Sequence, residues 1–124
     1  MTQEEKQLLL QDLCARLPYR VKCHFKYGSA EDDVTLSCID NDVARFEYGW
    51  YGSFHVSIDA DYIKPYLRPM SSMTEEEKAV LELCNAFVEP RSIELKVDLY
   101  NKQHLDYRGL IEKGLAIEAT KGMY

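Results

Sequence analysis

From Tyr19 onward the chain alternates. Tyr19, Val21, Cys23, Phe25 and Tyr27 are apolar or aromatic, and Arg20, Lys22, His24 and Lys26 between them are cationic. Successive side chains of a strand point to opposite faces, so a period of two predicts a strand that is apolar inside and charged outside. GSAEDD interrupts the pattern, and Val34, Leu36 and Cys38 mark a second strand. DND at 40–42 supplies turn chemistry. Ala44, Phe46, Tyr48 and Trp50 then continue the alternation in a third strand. A three-residue hairpin loop at Tyr51, Gly52 and Ser53 sets Trp50 against Phe54, Tyr48 against Val56 and Phe46 against Ile58. That arrangement puts the rings on one apolar wall and leaves Tyr51 at the tip. Arg45, Glu47, Gly49, His55 and Ser57 take the other face. The same arithmetic on the first hairpin pairs Tyr27 with Val34, Phe25 with Leu36 and Cys23 with Cys38, which makes the two thiols near neighbours.

At the N-terminus the period is helical. Thr2 and Glu5 have the spacing of a capping box, and Leu9, Leu10, Leu13, Cys14 and Leu17 follow at helical intervals until Pro18 forbids continuation. A second helix begins at Thr74, with Glu77 completing another box and Glu75 to Glu77 suiting its positive end. Val80, Leu83, Cys84 and Phe87 form its expected buried stripe, and Pro90 closes it. Between these segments, DADYIKPYLRPMSSM reads as a connector, because Pro65 and Pro69 break regular structure. SIELKVDLYNKQ fits two templates. Ile93, Leu95, Val97 and Leu99 alternate as in a strand, whereas Ile93, Val97 and Tyr100 also fit a helix from Ser92 to Asn101. The helix is the preferred reading. LDYRGLIEKGLAIEA reads as a turn followed by a short packed extended piece. The expected fold is α+β over residues 1–124 as a single domain. It is a two-layer sandwich in which an antiparallel four-strand meander packs on two or three helices.

Composition narrows the function. The 124 residues can bury one modest core, and 46% hydrophobic with 29% charged residues is an ordinary globular balance. The formal net charge of −6 favours solubility and opposes non-specific phosphate binding. MTQEEKQ lacks the basic start of a secretory signal, and no apolar run approaches the roughly 20 residues of a membrane span. A cytoplasmic protein is expected, with Cys14, Cys23, Cys38 and Cys84 as thiols on apolar stripes.

No catalytic or metal-binding motif emerges. Cys23 and His24 are adjacent in a strand and face opposite ways, and the spacings of zinc sites are missing. The acidic runs at 31–33, 40–42 and 59–61 sit at strand ends, where turn formation explains them. His24, His55 and His104 have no local nucleophile partner. No metal and no cofactor is expected. An enzyme would require distant residues brought together, such as His55 or His104 beside a carboxylate or thiol in a deep pocket.

Three blocks, DLCARLPYRVKC at 12–23, IKPYLRPMSSMTEEE at 63–77 and LDYRGLIEKGLAIEA at 105–119, resemble a family of short gut-bacterial proteins often encoded among phage or mobile-element genes. The resemblance implies a role in phage biology, defence or its inhibition, and carries over no activity, cofactor or catalytic residue. The stretch from Tyr27 to Asp61 lies outside it.

The leading expectation is a small non-catalytic module that acts on another protein. Its candidate contacts are Arg20, Lys22, Lys26, Arg45 and His55 on the outer sheet face, Tyr51 at a hairpin tip, and the Tyr107–Arg108 turn, since arginine and tyrosine are common interface anchors. The alternative is a nucleic-acid accessory protein. In that reading Arg16, Arg20, Lys22, His24, Lys26 and Arg45 meet phosphates and Tyr51 stacks on a base, against the acidic total.

Overall fold

The computed structural model describes residues 2–47, 52–58, 62–86 and 90–124. The Thr2 hydroxyl accepts from Glu5 N at 3.1 Å and Glu5 Oε1 accepts from Thr2 N at 2.9 Å, and this closed box starts α1 (Gln3–Arg16). Leu17–Tyr19 forms a 3₁₀ turn around Pro18, and the helix stops there. Leu9 and Leu13 are fully buried, as the spacing requires. The same side also buries Asp12 and Arg16 completely, so the inner stripe is rotated from the one expected, and Cys14 is exposed.

Six strands follow among the described residues: β1 (Lys22–Tyr27), β2 (Ala30–Asp40), β3 (Val43–Glu47), β4 (Ser53–Ser57), β5 (Ile63–Leu67) and β6 (Ile117–Glu118). They form one mixed sheet in the order β4-β3-β2-β1-β5-β6. The expected meander is present as β1 to β4, but the sheet has six strands rather than four. β5 adds antiparallel to β1, and β6 adds parallel to β5. β1 is therefore interior. Pro65 is compatible with this position because it stands opposite Cys23 in a pair that exchanges no hydrogen bonds with β1; Lys26 N donates to Tyr62 O at 2.8 Å, and bonded pairs alternate from there. The proline nitrogen thus points toward the β6 side, where pairing begins only at Tyr66↔Ile117.

Both hairpin registers differ from the expected ones. Tyr27 pairs with Ala30 and Cys23 with Val34, because Gly28 at φ +60° allows a two-residue turn with Ser29 and the acidic run enters the strand. Phe46 pairs with Phe54 and Glu47 with Ser53, so 48–52 connect β3 to β4 in place of a loop at 51–53. Both shifts are by an even number of residues, and the faces are preserved. Phe25, Phe46 and Phe54 make a cluster of rings with centroids 4.7–5.7 Å apart. Tyr48 and Trp50, assigned to the same wall, lie outside the described residues. Cys38 is a different case. A bulge between Leu36 and Cys38 adds one residue to β2, which sets Cys38 opposite Arg45 and gives Ile39 the place opposite Ala44. Cys23 and Cys38 are accordingly not cross-strand neighbours.

Residues 90–102 are helical, as preferred from sequence. α2 (Glu75–Ala86) and α3 (Pro90–Lys102) are joined to each other by packing and by Lys96 Nζ donating to Asn85 Oδ1 at 2.9 Å. The sheet's apolar face is covered instead by Leu9 and Leu13 of α1 and by Leu110, Leu115 and Ala116 of the tail. No described residue of α2 or α3 belongs to that core cluster.

Candidate functional site

The outer sheet face brings cations and carboxylates together strand against strand. In the β1–β2 ladder Lys22 stands opposite Thr35, His24 opposite Asp33 and Lys26 opposite Glu31. Opposite charges across a ladder stabilise the pairing. Both nitrogens of the His24 ring meet carboxylates, Nδ1 with Asp33 Oδ1 at 3.0 Å and Nε2 with Glu31 Oε1 at 2.9 Å. Only the imidazolium donates from both. Partial burial works to lower the His24 pKa, but the bonds to Asp33 and Glu31 outweigh it and the net shift is upward. The Tyr66 hydroxyl donates to the same Asp33 Oδ1 at 2.6 Å; burial and that carboxylate push its pKa up to about 12. Tyr66 and Lys64, another side chain on this strand, were not legible as site residues because Pro65 and Pro69 made the segment look like a connector.

The candidate cations do not converge into one stripe. Arg20 is exposed at φ +55°, between the 3₁₀ turn and β1. Lys22 is engaged by the tail, with Nζ donating to Met123 O at 3.0 Å. Lys26 is exposed opposite Glu31, and Arg45 pairs with His55 two strands away. Tyr51 lies outside the described residues. The carboxylates opposite these cations weaken the local positive potential on which phosphate contacts depend.

The Tyr107–Arg108 pair is tied inward. Arg108 Nη1 donates to Asp12 Oδ1 at 2.8 Å, and its guanidinium lies 4.3 Å from the centre of the Tyr107 ring. Tyr107 in turn stacks on Tyr100 at 5.0 Å. The buried Arg16 completes this knot, donating Nε to Asp12 Oδ2 at 2.9 Å and Nη2 to Leu105 O at 2.6 Å. The i,i+4 spacing of Asp12 and Arg16 beside Leu9 and Leu13 was the sequence signal for it.

His104, at φ +57° after α3, is 5% exposed and its ring stacks on Tyr124 with centroids 3.8 Å apart. Burial, then Arg16, Arg68 and Lys22, lower its pKa to about 4. These neighbours are cations, and among the described residues neither a carboxylate nor a thiol pairs with the ring. Among the described residues no cluster of histidine, cysteine and acidic side chains is arranged to hold a metal ion. None of their helices is long and apolar enough to cross a membrane.

A cleft of about 640 Å³ lies between the Glu118–Gly122 segment with Tyr124 and the start of α2. Among the described residues its one arginine is already paired with a carboxylate of the lining. Arg68 donates Nη1 to Glu77 Oε2 at 2.9 Å and Nη2 to Glu77 Oε1 at 2.7 Å. The bidentate bond holds the Glu77 pKa down to about 2. Thr74 and Glu77 close the second capping box, as expected.

The helical pair offers the contrasting surface. Val80, Leu83, Ile93 and Leu95 are 44%, 61%, 67% and 49% exposed. Of the stripe expected inside α2, Cys84 alone among the described residues is buried, with Glu77 one helical repeat before it. Phe87 lies outside the described residues. Ala79, Val80, Leu83 and Ala86 all face solvent on α2. Comparison of the chain with protein-family models, with curated proteins and with solved structures gives no match.

Proposed function

We propose that the protein is a small interaction module without catalytic activity, which binds another protein through the apolar side of α2 and α3. The observation that carries this reading is the exposure of Val80, Leu83, Ile93 and Leu95 on two helices whose described residues contribute nothing to the main core. Val80 and Leu83 lie three residues apart on one face of α2, and exposed apolar patches are a mark of protein contact sites. The same helices expose Glu75, Glu76, Glu82, Glu94 and Asp98, against Lys78 and Lys102. That acidic surround favours a partner whose apolar anchors are rimmed by lysine and arginine. It disfavours a second copy of this chain, which carries the same −6 charge. The resemblance to proteins encoded among phage and mobile-element genes makes phage biology or defence the setting of the same proposal.

The test is affinity purification from the native host of the parent chain and of a Leu83→Glu/Ile93→Glu variant, with light scattering on the purified protein. One stoichiometric partner with a basic, apolar contact face, held by the parent and lost by the folded variant, supports the reading. A partner retained by the variant, bound nucleic acid, or a homodimer broken by the variant counts against it.

A further inference from the structure

We infer that Met123 and Tyr124 form a two-state latch: in one state the Tyr124 phenol stands between β1 and β5, and in the other it withdraws and the two strands close on each other.

The β1–β5 ladder sets the expectation. Cys23↔Pro65, His24↔Lys64 and Phe25↔Ile63 are paired, and Lys26 N donates to Tyr62 O at 2.8 Å. Bonded pairs alternate along an antiparallel ladder, so Lys26–Tyr62 and His24–Lys64 are followed by Lys22–Tyr66. On its other side β1 keeps the same alternation, since Leu36 N donates to Val21 O at 3.1 Å and leaves the backbone of Lys22 facing β5. The register of the ladder stops at Cys23↔Pro65 and does not include Lys22↔Tyr66. Lys22 N donates to the Tyr124 hydroxyl at 2.9 Å, and that hydroxyl donates to Tyr66 O at 2.8 Å. The phenol relays one bond of the ladder.

Withdrawal of Tyr124 strands neither group, because Lys22 N and Tyr66 O complete each other in the register the rest of the ladder already holds. A backbone donor and acceptor that are satisfied in both states are what allow two arrangements to lie close in free energy. The latched state gains the stack of Tyr124 on His104 and the bond from Lys22 Nζ to Met123 O at 3.0 Å. It also carries a cost. His104 Nδ1 is buried without a partner, which is unfavourable for any polar atom.

The charged and titratable groups facing His104 among the described residues are Arg16 from α1, Lys22 from β1, Arg68 at the end of β5 and the Tyr124 phenol from the tail, and the Tyr19 backbone carbonyl accepts a hydrogen bond from the ring. Burial, and then the surrounding cations, hold the closed ring neutral. Lifting Tyr124 returns the ring to water, so acid favours the open state. Thr120, Lys121, Gly122 and Tyr124 form one wall of the 640 Å³ cleft, and opening the latch enlarges it.

Amide hydrogen exchange and His104 titration by NMR on the full chain, on Tyr124→Ala and on Tyr124→Phe test the latch. The expected result is a Lys22 amide that stays slow to exchange in Tyr124→Ala, since Tyr66 O replaces the relay. With it, the His104 midpoint moves from about 4 toward the ordinary 6.5. In the parent, the open population rises roughly tenfold or more between pH 7.5 and 5.0, following that difference in proton affinity. A Lys22 amide that exchanges rapidly in a folded variant overturns the proposal. So does global unfolding of both variants, which makes Tyr124 a fixed plug.

Discussion

The Arg16 guanidinium is bonded to the Asp12 carboxylate one turn earlier in α1, Nε to Oδ2 at 2.9 Å, with both side chains closed to solvent. Arg108 Nη1 approaches the other oxygen of Asp12 at 2.8 Å. Arg16 also donates to the carbonyls of Tyr100 and Leu105, so one ion pair fastens α1 to the end of α3 and the tail. Breaking such a pair leaves a charge buried without its partner. Asp12→Asn is expected to destabilise the fold by about 3–5 kcal/mol. The double change Asp12→Leu/Arg16→Met is expected to cost less than the sum of the single changes. Urea unfolding of Asp12→Asn, of the single changes Asp12→Leu and Arg16→Met, and of the double change measures both effects.

The face of each meander strand was legible in the sequence where periodicity carries the information. Phe25, Phe46 and Val56 are buried as alternation requires, although the pairing partners are different. Alternation is blind to register, because a slip of four residues restores the same face. It is also blind to the bulge that turns Cys38 away. β5 was hidden by Pro65, a residue that a strand accepts only where its missing donor faces no partner. The exposure of Val80 and Leu83 was illegible for another reason. An apolar stripe reports that a helix has a sticky side, and does not say whether this chain or another one covers it.

The thiols make a prediction from the same correction. Cys14 is exposed, whereas Cys23 and Cys84 are buried, and burial raises the Cys23 pKa strongly. Timed alkylation read by mass spectrometry is expected to label Cys14 first and to reach Cys23 and Cys84 only on unfolding. Oxidation is expected to give no Cys23–Cys38 crosslink, since Cys23 stands opposite Val34.

His24 gives a pH dependence on the basic side. Its pKa is raised above 6.5 in the folded chain, so the folded state holds the proton more tightly than the unfolded one. The contribution is complete below 6.5 and is lost as pH rises through the folded value. With Glu31 and Asp33 both half exposed, the effect is expected to stay at or below about 1 kcal/mol. The stability difference between the parent and His24→Gln, measured from pH 5 to 9, is expected to shrink as pH increases.

Glu77 behaves in the opposite sense. Its pKa falls from 4.5 to about 2 because Arg68 and the Thr74 backbone bind the carboxylate. That contribution is complete above 4.5 and is lost as pH falls toward 2. Glu77→Gln keeps the length of the side chain but weakens both bonds, and is expected to cost about 1–3 kcal/mol at pH 7. The same variant is expected to match the parent more closely at pH 3, as read by thermal unfolding.

Chemical denaturation of Leu83→Glu and Ile93→Glu is the most direct test of whether the apolar side of α2 and α3 is an open contact surface. Side chains already in water are expected to accept a carboxylate with a change within about 0.5 kcal/mol each. A loss of several kcal/mol from either substitution would mean that the chain itself covers these residues, and would contradict the account.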